Sequence, residues 1–338
     1  MSTSPSDRNP LWSDPAIPPA WPFPLAERSA VLPWPRALFA VCGLFEWVTL
    51  AYLAVLSFLI VIFRHNLPAA YLYLAAHLFL AVALVALCWA GARWPSPALR
   101  FLRHWYPMLL FLGFFEELHY LVRLIHPGWF DPGLIQFDFA IFGVHPTVWL
   151  EQFATPALND FMQFAYMSYY FYGLILGAIL FAHKEQHSFW QVMTATAVAY
   201  YLGYLISILF PIEGPYHTLA GLQRGELTGG PFTALMGFIE SWGRVHGAAF
   251  PSAHVSGSFA ALLGAWRYRR RLFWGFLPFF LAMLVATIYG RYHYVADVLA
   301  GLVVGAFGWT LAALLQRRSA RESQLLSGRP RSLLDLPQ

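Results

Sequence analysis

Two histidines 39 residues apart, His254 and His293, carry the clearest chemical signal in the chain. Each stands at the start of a predicted helix, in Phe250-Pro251-Ser252-Ala253-His254-Val255-Ser256-Gly257 and in Tyr289-Gly290-Arg291-Tyr292-His293-Tyr294-Val295-Ala296-Asp297. The spacing fits one membrane crossing, a basic turn at 267–271 and one crossing back, which returns both imidazoles to the same membrane face. His293 and Asp297 are four apart on a helix, so they share a face, and the carboxylate can hold a ring nitrogen, fix the tautomer and raise the ring's nucleophilicity. His254 supplies a second proton carrier. Helix N-termini present free N–H groups and a positive dipole end to an anion, and Arg291 adds a fixed charge suited to phosphate oxygens. Together these groups describe a phosphoryl-transfer site that needs no metal or other cofactor. A single interfacial histidine is ordinarily structural and a single arginine there can merely snorkel. Two histidines, an aspartate and an arginine converging near a membrane shift the balance to function.

The elements that position these groups follow from composition. Of 338 residues, 59% are hydrophobic and only 11% charged, against about a quarter charged in ordinary soluble domains. A mean hydropathy of +0.53 excludes a typical soluble enzyme and indicates an all-α polytopic membrane protein. Apolar runs predict membrane helices at roughly 38–63, 68–91, 104–125, 156–182, 189–210, 252–266, 273–290 and 293–315. Residues 1–35 hold nine prolines and no signal-peptide core, and are read as an irregular, disordered cytoplasmic tail. The remaining divisions are two additional helices over 36–97, a six-helix catalytic core over 98–316 and a basic cytoplasmic tail over 317–338.

With eight spans both termini fall on one side. Placing them inside puts 16 of the 21 basic residues in inner segments and five outside, the asymmetry expected of cytoplasmic loops. The net charge of +4 therefore records topology, and no nucleic-acid partner is read from it. The expected location is a bacterial inner membrane with the histidines on the outer face. Cys42 and Cys88, the two cysteines, lie in apolar runs and are read as packing residues. Two longer outer connections remain. The first, 126–155, carries Trp129, Phe130, Asp131 and Asp138 and is expected along the interface as a lid or a linker. The second, 211–251, passes through a Gly-rich turn and a short amphipathic stretch near 231–243.

The P-S-A-H and R-Y-H-Y-V-A-D segments resemble the second and third signature motifs of the type-2 phosphatidic acid phosphatase superfamily. The D-x-x-x-F-G-x-x-P pattern from Asp138 to Pro146 and the H-Y-x-x-D form of the last motif are similar to its inositolphosphotransferase-like branch, which contains the fungal inositol phosphorylceramide synthases. The resemblance covers roughly residues 100–315, with the last six spans matching the family's six-helix core. It implies that His293 takes the phosphoryl group with Asp297 orienting it. His254 would protonate the leaving group and then activate the attacking hydroxyl, while Ser252, nearby backbone N–H groups and Arg291 would bind phosphate oxygens.

The chain also departs from the family pattern. The phosphatases of the superfamily usually carry Lys and Arg-Pro in a first motif, whereas this chain reads Phe210-Pro211-Ile212-Glu213-Gly214-Pro215-Tyr216 there, with neither base. Lys184, the chain's one lysine, falls on the inner side. The third-motif arginine sits two residues before the histidine, not six. These departures favour a phosphodiester donor, which carries less charge than a phosphomonoester. Glu116, His119 and Arg123 lie on one face of the third span, where Arg123 would supply the missing phosphate contact or else snorkel. Glu116-x-x-His119 is half of a di-iron motif and too little for one. Tyr216 and His217 would line a substrate entrance or anchor at the interface. Gly301-x-x-x-Gly305 reads as close helix packing.

The sequence thus predicts a membrane enzyme that moves a phosphate-linked headgroup from a phospholipid donor to a lipid hydroxyl acceptor through a phosphohistidine. A lipid phosphatase using water is the alternative, and a non-enzymatic lipid transporter is a third reading. There is no G-x-S-G around Ser256 to support an intramembrane protease.

Overall fold

The computed structural model describes residues 41–94, 96–243 and 245–326. Its elements are α1 (Leu44–Ile62), α2 (Ala70–Arg93), α3 (Pro97–Leu121), α4 (Asp131–Phe142), α5 (Pro146–Leu150), α6 (Pro156–Met167), α7 (Tyr169–Ala182), α8 (Gln186–Leu209), α9 (Pro215–Thr218), α10 (Pro231–Gly243), α11 (Ala253–Tyr268), α12 (Arg270–Tyr289) and α13 (Val295–Leu326). Among the described residues there is no β-strand, only an isolated bridge between Ile212 and Ala248.

The chain is an all-α polytopic membrane protein. Each of the eight predicted runs falls on a helix, or on the pair α6 and α7, which is bent by 40°. Five helices (α1, α2, α8, α12 and α13) are long and apolar enough to cross a membrane, and the bent pair makes six if it counts as one span. The two others differ for visible reasons. α11 has 16 residues, and α3 carries Arg100, Arg103, Glu116 and Glu117 within its length. α3 also starts earlier than predicted, because Ser96 accepts a hydrogen bond from Leu99 N and Pro97 takes the first helical position, a start signal that the charges of Arg100 and Arg103 masked. At the other end α13 continues to Leu326, past the predicted boundary at 316, since its polar continuation is made of good helix formers. The predicted N-terminal tail lies outside the described residues, as does most of the remaining C-terminal one.

The centre of the bundle is α8, which packs against both α11 and α13. Most of its residues are buried, including the small Ala195, Ala197 and Ala199, so its neighbours approach closely. On its far side α8 meets α1 and α3, while α12 joins α11 to α6. The first three helices are tied by a buried polar chain that sequence reasoning missed. His77 Nδ1 lies 2.8 Å from Ser57 Oγ and His77 Nε2 lies 2.8 Å from Glu117 Oε1. Interhelical hydrogen bonds of this kind hold helices together where lipid gives no hydrophobic drive.

Candidate active site

Both histidine motifs are presented by helix starts that are locked to each other. Ser252 is the N-cap of α11, its Oγ accepting from Val255 N at 3.4 Å. The Ser252 N–H donates to the carbonyl oxygen of Asp297 at 3.1 Å, so the first turn of α13 holds the cap of α11. Below this latch the two helices nearly touch. A Cβ on Gly301 would stand 2.8 Å from Ser252 O, and one on Gly305 2.6 Å from Ser256 O. The Gly301-x-x-x-Gly305 pattern therefore does serve close helix packing, as the sequence implied.

This contact brings the two imidazoles together. His254 Nδ1 lies 3.3 Å from His293 Nε2. On its other side His293 Nδ1 stands 3.4 Å from Asp297 Oδ2, an ion-pair separation slightly beyond a good hydrogen bond. Asp297 is fully buried, and the same Oδ2 accepts from Tyr294 N at 2.8 Å. His254 is steered by Tyr166, whose hydroxyl lies 3.1 Å from Nε2, and Tyr169 packs edge-on with ring centroids 4.4 Å apart. Tyr166 also stacks on Tyr292 at 4.2 Å. Tyr166 and Tyr169 flank the bend between α6 and α7, so the broken span wraps the second histidine. Broken helices in membrane proteins commonly line polar sites.

The structure brings His254, His293 and Asp297 together, although His293 stands two residues before α13 and not on it as the sequence suggested, and Ser252 lies buried at the same helix junction. The other predicted binding residues are placed differently. Arg291 has φ +65° and is buried, its guanidinium donating to Glu151 Oε1 at 2.9 Å, Gln223 Oε1 at 2.9 Å and the carbonyl of Gly225 at 2.7 Å. Three protein acceptors thus occupy the group that was expected to grip phosphate. Arg123 is exposed and lies over the Trp129 ring at 5.5 Å, and Tyr216 is exposed with its N–H donating to Arg291 O.

The start of α13 is not a vacant anion site either. Asp138 on α4 accepts from Val295 N at 2.8 Å and Ala296 N at 3.1 Å, filling the dipole end with a carboxylate. Burial pushes Asp138 above the usual carboxylate range against the pull of these two N–H groups. A second buried acid of α4, Asp131, accepts from Glu213 N and Gly214 N at 2.9 Å each and from the Tyr294 hydroxyl at 3.0 Å. The 126–155 connection is therefore a bracket, its two acids holding the start of α13, just beyond His293, and the backbone at Glu213 and Gly214. Sequence reasoning had both aspartates in view but no partners for them. The seven-residue spacing of Asp131 and Asp138, about two helical turns, was the usable signal.

Among the described residues no cluster of histidine, cysteine and acidic side chains could hold a metal ion. A family model described as the PAP2 superfamily matches residues 133–311, the stretch from α4 through most of α13. A PA-phosphatase related-family protein of Dictyostelium discoideum is 27% identical over 185 residues, covering 46% of this chain and 32% of that protein. The chain thus spans about a third of the length of that relative. No solved structure matches.

Proposed function

The chain belongs to the PAP2 superfamily, and on that premise we propose that it is a lipid phosphotransferase, moving a phosphate-linked headgroup from a phospholipid donor to a lipid hydroxyl through a phosphohistidine. The observation that carries this reading is the 3.3 Å approach of His254 Nδ1 to His293 Nε2 with Asp297 behind the second ring. His293 Nε2 attacks phosphorus as the bond from phosphorus to the donor's lipid oxygen breaks. His254 gives its Nδ1 proton to the departing oxygen. The neutral His254 then takes the proton of the acceptor hydroxyl, whose oxygen attacks phosphorus and releases His293. Asp297 stabilises the charge that develops on the His293 ring. Ser252 and the first-turn N–H groups of α11 face the phosphate oxygens as the anion-binding end of that helix. The protein's part is positioning and charge neutralisation, which carries most of the catalysis in phosphoryl transfer.

The headgroup-transfer form is favoured by charge. Arg291 is neutralised by Glu151, and Glu213 stands where phosphatases of the superfamily carry bases. A dianionic phosphomonoester finds little compensation there, whereas a monoanionic phosphodiester needs less. Hydrolysis, with water as the acceptor, is the second reading, and the likeness to a PA-phosphatase related-family protein of Dictyostelium favours it. On either reading the donor is a membrane lipid, and the histidines face the non-cytoplasmic side of a bacterial inner membrane with both termini inside.

The test is incubation in lipid nanodiscs with mixed phospholipids and ceramide or diacylglycerol, beside His293→Ala, with lipid mass spectrometry and a phosphate assay. A new phosphodiester lipid absent from the variant establishes transfer. Free phosphate without such a lipid establishes hydrolysis, and identical products from both proteins overturn the role of His293.

A further inference from the structure

A groove of about 410 Å³ runs between α4 and α13. Gly133, Leu134 and Phe137 form its α4 wall, and Leu299, Ala300 and Val303 its α13 wall. Phe250 and Ala296 also line it, two residues before Ser252 and one before Asp297. We propose that this groove seats one hydrocarbon chain of the lipid whose phosphate meets His293, making the α4–α13 junction the chain-recognition subsite of the reaction. The inference rests on the lipid reading of the function given above.

Three observations select a hydrocarbon chain as the occupant. Every lining residue is apolar or glycine, so nothing in the groove would repay the burial of a polar ligand. Its α13 wall belongs to the apolar span Val295–Ser319, and Leu299 and Val303 are 46% and 69% exposed, so the groove opens sideways at membrane depth. Phe250 and Ala296 adjoin the two histidine motifs along the chain, so a lipid with one chain in the groove has its headgroup near those motifs. The groove is also preformed. Asp138 neighbours the lining residue Phe137 and is bonded to Val295 N and Ala296 N, so one carboxylate fixes the spacing of both walls. A chain entering a preformed apolar slot avoids the cost of ordering it.

Gly133 gives a clean way to close the groove, because a Cβ there meets nothing within 4 Å and replacing a helical glycine does not weaken the helix. The probe is a phosphatidylglycerol, a phosphodiester lipid, with a diazirine in one chain, photolysed in nanodiscs, with crosslinked peptides mapped by mass spectrometry. A diazirine-bearing fatty acid methyl ester, which lacks phosphate, reports bulk lipid. Labelling is read in the His293→Ala protein, so it does not depend on turnover. The expected result is phosphatidylglycerol labelling of 296–303 and 133–137, at least several-fold above the methyl ester and lost in Gly133→Trp and in Ala300→Leu. With His293 intact, Gly133→Trp should raise KM for long-chain substrates about tenfold while leaving a dibutyryl analogue unchanged, the loss expected when a few methylenes are excluded from an apolar slot. Equal labelling by both probes, labelling that survives Gly133→Trp, or a crosslink to a second copy of the chain overturns the proposal. If the His293-intact protein turns over no lipid while the labelling pattern is as expected, the functional reading fails and the chain-binding groove stands.

Discussion

His254 Nδ1 and His293 Nε2 face each other at 3.3 Å, close enough to share a proton and too close to admit a phosphoryl group between them. In-line displacement needs the nucleophile and the acid on opposite sides of phosphorus. The second imidazole must therefore swing away as substrate enters, and its one recorded hydroxyl partner outside the pair is Tyr166, 3.1 Å from Nε2. Tyr166→Phe should keep the fold and the phosphohistidine step but leave the ring of His254 poorly aimed. We expect kcat to fall about tenfold to a hundredfold with KM little changed, measured by steady-state kinetics beside thermal unfolding of the same preparation.

The two histidines should separate by chemical role. With an aryl phosphodiester, whose leaving group needs no proton, His254→Ala should still form the covalent intermediate and then stall, accumulating acid-labile phosphate on His293. His293→Ala should form none. With a natural lipid both variants should lose about 10²–10⁴-fold in rate or more. Rapid quench followed by intact-protein mass spectrometry distinguishes them, and a phosphate found on His254 would reverse the assignment.

Asp297→Asn tests orientation apart from packing. The carboxamide keeps the volume of a fully buried side chain but can turn an N–H towards His293 Nδ1, favouring the wrong tautomer. Activity should drop about 10²-fold or more with the melting temperature nearly unchanged. Gly301→Ala should do the converse. Its Cβ would meet the Ser252 carbonyl at 2.8 Å, so α13 must move off α11 at a cost of about 1–3 kcal/mol, lowering the melting temperature and activity together. If Gly301→Ala leaves stability intact, the close approach of these helices does not hold the site.

How far the sequence could be read depends on the kind of signal. The histidines and Asp297 were legible because helix periodicity and membrane thickness place them roughly, two regularities that survive any detail of packing, although His293 stands two residues before α13 and not on it. Gly301 and Gly305 were legible for the same reason. The partners of Arg291 were not legible, because its type suggested phosphate, whereas Glu151 and Gln223 are 140 and 68 residues away and come from irregular connections without periodicity. Asp131 and Asp138 were seen as interfacial acids, since nothing local says that one of them caps a helix 157 residues later. The Ser57, His77 and Glu117 chain joins three apolar helices whose relative rotation no single run reveals. Eight apolar runs were legible as helices, but the short α11 and the charged α3 show that being helical and being apolar enough to cross are separate properties.

Asp138 makes stability depend on pH with a definite sign. Its carboxyl titrates above the usual range in the folded protein because it is buried, so between the unfolded and folded values the native state holds the extra proton. Stability contributed by this group is therefore greatest at or below the unfolded pKa and falls as pH rises through the folded one. Asp138→Asn should remove that slope while losing one of the two bonds to the start of α13, at about 0.5–2 kcal/mol for a helix cap. Thermal unfolding in nanodiscs across the mildly acidic range checks both. A wild-type stability that rises with pH in this window beside a flat variant would reverse the sign and the assignment.

The last prediction concerns what Arg291 does. Its guanidinium is 7% exposed and its partner Glu151 is 8% exposed, so each is a buried charge that needs the other. A phosphate ligand would have to displace Glu151 and compete with Gln223 and the Gly225 carbonyl as well. A strap, by contrast, uses all three at once, pinning the 223–225 loop and the end of the 126–155 connection to the residue two before His293. The two roles respond differently to Arg291→Lys, which keeps the charge but not the forked geometry. As a phosphate ligand, lysine would retain much of the binding and raise KM modestly. As a strap it cannot reach three divergent acceptors, so the loop should loosen, with faster proteolysis near Gly225 and an unchanged KM for a short-chain substrate. Glu151→Gln should loosen the same loop by leaving the guanidinium underpaired, at up to about 3–5 kcal/mol for a broken buried pair. If instead Glu151→Gln tightens phosphate binding without exposing the loop, freeing Arg291 has created the anion grip that the sequence first suggested.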